Sequence, residues 1–98
     1  MAYTQTDINS AKSIARGKAP LCGSPNPDRN AYLLYYNETL GHLKSVLAMG
    51  FEVYTKTLNY AWDIENIPIL NTTTISKENF QEVLNDAINI YTYLINNP

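Results

Sequence analysis

Apolar and aromatic residues recur at steps of three and four along one stretch of the chain: Leu33, Tyr36, Leu40, Leu43, Leu47, Phe51, Tyr54, Leu58 and Trp62. That spacing lines one face of an α-helix, whereas a half-buried strand needs alternation at every second residue. A stripe this long constrains the chain towards helix packed on helix. Its phase runs through Gly50, so one helix over 27–64 stands beside a helix broken at that glycine. Unbroken, it would measure about 57 Å. That is too long for a compact monomer of this size, and would itself argue for an oligomer.

Residues 51–64 also carry many types that suit strands, among them Val53, Tyr54, Thr55, Thr57, Tyr60 and Ile64. An α+β arrangement with a short hairpin at about 51–75 is therefore the alternative. The regular three–four spacing favours helix. Gly41 and Gly50 each cost a helix about 1 kcal/mol relative to alanine. Glycines in such positions commonly admit a neighbouring backbone, and that packing role is the expectation here.

The flanking segments complete an all-α reading. Thr4-Gln5-Thr6-Asp7 supplies a capping hydroxyl and a first-turn acid, and Ile8, Ala11, Ile14 and Ala15 form a thin apolar stripe. This predicts a short helix from about 6 to 17, ended at Gly17. Residues 18–26 form a loop around Pro20 and Pro25, and Asn26-Pro27-Asp28 has the pattern of a helix start. Residues 65–75 are a connector in which Pro68 ends what precedes it, with Ile67, Ile69 and Leu70 turned to the core. Ser76 is the expected cap of a last helix, with Ile75 and Phe80 at the spacing of a hydrophobic staple. Phe80, Val83, Leu84, Ala87, Ile88, Tyr91, Leu94 and Ile95 continue it; Ile90 and Tyr93 fall off that stripe and widen it. The architecture expected is a short N-terminal helix, a long or broken central helix, and a C-terminal helix packed back antiparallel. All 98 residues form a single helical domain, with 1–26 as a basic N-terminal helix plus Pro-rich loop.

Charge divides the chain. Up to Arg29, Lys12, Arg16, Lys18 and Arg29 outnumber Asp7 and Asp28; beyond it acids dominate, and the net charge is −2. A basic segment on an acidic body can meet an anion or the acidic body of a second copy. Charged residues are only 16%, and eight tyrosines help fill the gap. Tyrosine gives contact area with a polar tip and is enriched at protein interfaces.

Catalytic and metal chemistry find little support. The chain has one Cys, Cys22, and one His, His42. No intrachain disulfide can form, and a zinc site would need other donors. No nucleophile signature surrounds Cys22, so His42 reads as a partly exposed structural histidine. Glu78, Glu82 and Asp86 lie four apart, an acidic stripe that reads as a solvated helix face. No Walker or dinucleotide fingerprint occurs. The expectation is a protein that is not an enzyme and carries no cofactor or metal.

Two functions remain. The first is protein–protein interaction or assembly as a homo-oligomer, with contacts from Tyr32, Tyr35, Tyr36, Phe51, Tyr54, Trp62, Ile90 and Tyr93. The second is binding of a small anionic, nucleotide-like ligand or nucleic acid by Lys12, Arg16, Lys18 and Arg29, with nearby tyrosines for stacking. Four cations are a thin footprint for a nucleic-acid binder. The first residues hold no apolar stretch of signal-peptide length, and no run approaches ~18 apolar residues. A cytoplasmic protein off the membrane is expected. Short, weakly charged chains are common among phage and mobile-element proteins, so a virion setting is held beside it.

Overall fold

A computed structural model describes residues 3–18 and 29–97. Cys22, Pro20, Pro25 and the Asn26-Pro27-Asp28 helix start lie outside the described residues. Five helices follow in order: α1 (Gln5–Lys18), α2 (Arg29–Met49), α3 (Phe51–Tyr54), α4 (Asn59–Asn66) and α5 (Phe80–Asn96). The described residues hold no strand: 51–64 is α3 and the first part of α4 joined by a turn at 55–58, and the hairpin is not found.

Local chemistry explains where α1 begins. Thr4 Oγ1 accepts from the Asp7 backbone N–H at 3.4 Å, and the Asp7 carboxylate accepts from the Thr4 N–H at 2.9 Å. This reciprocal pair satisfies two backbone donors at once. The face buried by α1 is small: Ile8, Ala11 and Ala15. Two alanines let the helix axis sit close to its neighbours, where larger residues would hold it off.

The central stripe does break at Gly50. Its φ is +94° and ψ is 158°, a region that residues with a Cβ rarely enter. The chain turns there, yet Phe51 and Tyr54 still face the core; the phase is lost across a second turn at 55–58. Leu58 is 97% exposed and Trp62 is 44% exposed, while Tyr54, Asp63 and Ile67 are buried. The inward face steps by 3 and 4 from half-buried Tyr60 through buried Asp63 to buried Ile67, out of register with the expected Leu58 and Trp62. The structure is 39 Å in its longest dimension, so the case for an oligomer that rested on an unbroken helix falls away. The packing role expected of Gly41 and Gly50 is also corrected: a Cβ at either would meet nothing within 4 Å. Gly50 is needed for its backbone angle, not for close approach.

Helix α5 packs on α2 in the antiparallel sense. Tyr91, late in α5, meets Tyr36, early in α2, with ring centroids 6.2 Å apart; Phe80, at the start of α5, meets Phe51, just past the end of α2, at 5.9 Å. Ser76 accepts from the Asn79 N–H at 3.3 Å and donates its own N–H to Asn79 Oδ1 at 2.6 Å. The expected cap thus organises a turn, and the helix itself starts at Phe80. Ile75 and Phe80 are both buried, as are Ile67, Ile69 and Leu70 of the connector. Ile69 holds a φ of 74°, an unusual angle for a β-branched residue; its buried side chain anchors the turn.

Ile90 is fully buried, whereas Ile88 and Ile95 lie only at the margin of the core. The arc of α5 is wide because α2 and α1 both pack on it. That coverage comes from within the chain and leaves Ile90 no surface for a partner. The same correction applies to Tyr35, Tyr36 and Tyr54, all of which are buried in the core.

Candidate functional site

Three of the four cations singled out in the sequence converge. Lys12 and Arg16 lie four apart on α1, and Arg29, Tyr32 and Tyr36 step by three and four along α2. Each helical spacing puts its residues on one face. Because the alanines of α1 bring the helices together, the two faces border one cleft. Lys12, Arg16, Arg29, Tyr32 and Tyr36 line a cavity of about 400 Å³ there. This lies within the range of small-ligand sites, about 300–1,000 Å³.

The electrostatics of the cleft are one-sided. Among the described residues, none of Lys12, Arg16 and Arg29 has an acidic partner within 4 Å; the ion pairs formed there are His42–Asp63 and Lys77–Glu52. Three like charges thus border one cavity with no counter-charge among the described residues. Of the three, Arg16 acts on Tyr36. Burial pushes the Tyr36 hydroxyl up from its ordinary value, Tyr32 adds to that, and Arg16 pulls the other way. Tyr32 is half-buried and stacks on Tyr36, with centroids 6.4 Å apart and planes at 25°.

Lys18 has a different role. Its ammonium sits 5.5 Å from the centroid of the Trp62 ring, within cation–π range. It ties the end of α1 to α4 and does not border the cavity.

A second polar cluster lies inside the molecule, and the sequence reading did not anticipate it. Asp63 of α4 is 2% exposed. Its Oδ2 accepts from the Tyr54 hydroxyl at 2.6 Å and lies 2.6 Å from His42 Nε2. The bond to Asp63 raises the His42 pKa, burial lowers it, and the carboxylate's charge raises it further, with a net increase. Burial drives the Tyr54 hydroxyl far upward, reinforced by the Asp63 bond and charge. Tyr54 is therefore a fixed donor and His42 a cation in the folded protein at mildly acid pH. The cluster fastens α2, α3 and α4 together. Burial also drives the Tyr91 hydroxyl upward, and this buried group has no hydrogen-bond partner among the described residues.

The aromatic contact set splits. Tyr35, Tyr36, Tyr54 and Ile90 are core; Tyr32 and Phe51 are half-buried; Trp62 and Tyr93 remain exposed at 44% and 39%. Leu34, Met49, Val53 and Leu58 are exposed as well. Among the described residues no group of three or more His, Cys, Asp or Glu could hold a metal ion, and no helix is long and apolar enough to cross a membrane. No protein-family model, curated protein or solved structure matches the chain.

Proposed function

We propose that this protein binds a small anionic ligand in the cleft between α1 and α2. One observation carries the reading: Lys12, Arg16 and Arg29 border a single cavity with Tyr32 and Tyr36, and among the described residues none of the three has an acidic partner within 4 Å. Gathering like charges costs Coulomb energy that an anion would relieve. A cleft with partly buried walls strengthens that attraction relative to open solvent. The residues that line the cavity serve to bind and orient an anion. Calorimetric titration with inorganic pyrophosphate at low salt tests this. Binding is expected for the wild type and lost in the Lys12→Glu, Arg16→Glu double variant with helix content retained. Equal binding by the double variant would exclude the cleft.

Self-association is a second reading, favoured by a separate observation. Met49, Phe51, Val53 and Phe80 line a hollow where α2, α3 and α5 meet, and Met49 and Val53 are exposed at 40% and 56%. A second copy covering that end would remove apolar area from water. Native mass spectrometry of wild type and Val53→Asp decides it: a dimer lost in the variant supports assembly, and a wild-type monomer at tens of micromolar rules it out.

A further inference from the structure

We propose that the ligand of the α1–α2 cleft is a single nucleotide, its phosphate held by Arg29 with Lys12 and Arg16 and its base stacked on Tyr32. This rests on the anion-binding reading above and goes further by naming the ligand class. Arg29 and Tyr32 are three residues apart on α2 and both line the cavity. Side chains so placed are neighbours, one helical turn or roughly 5 Å apart along the axis. A phosphate on Arg29 and a ring on Tyr32 therefore match the spacing of phosphate and base within one nucleotide.

Size and composition point the same way. The cavity of about 400 Å³ would be left mostly unfilled by inorganic phosphate alone. Tyr32 lines that cavity and stays half-buried although it is stacked on Tyr36, so part of its ring remains available to a second ring. Tyr36 fixes the Tyr32 plane in advance, which lowers the ordering cost of stacking. Every base has a π-face, so Tyr32 supplies affinity without selecting a base. A polynucleotide fits less well. The protein carries a net charge of −2, and its seven Lys and Arg are opposed by nine Asp and Glu. A long polyanion would leave the cleft and meet that acidic body.

The test is a calorimetric series on the full chain with inorganic phosphate, ribose 5-phosphate, adenosine, adenosine 5′-monophosphate and a short single-stranded oligodeoxynucleotide. The monophosphate is expected to bind about tenfold more tightly than ribose 5-phosphate, the margin that one stacked base supplies. Tyr32→Ala should collapse that ratio towards one. Tyr32→Leu, which keeps apolar cover on Tyr36, should do the same if the alanine variant loses helix content. Equal, measurable binding of ribose 5-phosphate and the nucleotide would overturn the inference and leave the anion-binding cleft standing. Binding of none of the phosphates would overturn both. An oligonucleotide bound far more tightly than the mononucleotide, with a steep salt dependence, would assign the cleft to a strand and overturn the single-nucleotide proposal.

Discussion

The cleft between α1 and α2 and the cluster around Asp63 use charge in opposite ways. In the cleft, Arg16 and Arg29 are exposed, and among the described residues its three cations have no acidic partner. Around Asp63, one carboxylate is buried and receives both His42 and Tyr54 on the same oxygen. A buried charge is tolerated only when it is paired and hydrogen-bonded. Its partners are then spent on the fold. Unpaired charges at a surface cleft contribute little to the fold and are free for a ligand. The location of the partners, not the number of charges, separates the structural cluster from the candidate site.

The sharpest way to break this comparison is to remove the buried carboxylate. Asp63→Ala strands the Tyr54 hydroxyl in the core and leaves His42 without its counter-ion. We expect a loss of about 3 kcal/mol in urea unfolding. A loss under about 0.5 kcal/mol would mean that the cluster does not hold α4.

The next effect depends on pH. The folded-state pKa of His42 is raised above its ordinary 6.5 by Asp63, so the folded protein holds that proton more tightly than the unfolded chain does. The resulting stabilisation is complete below about pH 6.5 and is lost as pH rises through the raised value. The facing titratable groups are Asp63, the counter-charge, and Tyr54, which keeps its proton throughout this range. Unfolding free energy should therefore fall as pH rises from about 6 to about 9, and His42→Gln should flatten that dependence. An unchanged slope in the variant would assign the titration elsewhere.

Gly50 links the two regions indirectly, because its turn redirects the chain so that α4 returns to His42. Gly50→Ala forces a Cβ into a φ of +94° and should cost about 1–2 kcal/mol by thermal or urea unfolding. Its ligand affinity should be unchanged, since the cleft lies on α1 and the first half of α2. The smallest effect is expected at the cleft itself. Arg16→Glu removes like-charge repulsion and should change stability by no more than about 0.5 kcal/mol. A loss as large as that of Asp63→Ala would make Arg16 a structural residue.

Much of this was legible in the chain. Capping chemistry at Thr4 and Asp7, the α5 stripe and the four cations are local signals, and helical spacing alone puts Lys12 with Arg16 and Arg29 with Tyr32. The convergence of the two pairs was not legible, because it depends on how closely Ala11 and Ala15 let α1 approach. The Asp63 cluster was obscured by the stripe through Leu58 and Trp62, whose regular phase concealed the turn at 55–58. The 60, 63, 67 spacing ending at Ile67 was the competing signal, and an acid on that face marked a buried pair. Tyr54 and Ile90 were read as contact residues because a lone helix cannot show which neighbours already cover it.

The most direct test is amide chemical-shift mapping of the labelled protein titrated with inorganic pyrophosphate. Anion binding between α1 and α2 predicts saturable shifts concentrated around Lys12, Arg16, Arg29, Tyr32 and Tyr36, with the amides around Asp63 unmoved. Saturable shifts centred elsewhere, or none at millimolar pyrophosphate, would contradict the assignment of the cleft as the binding site.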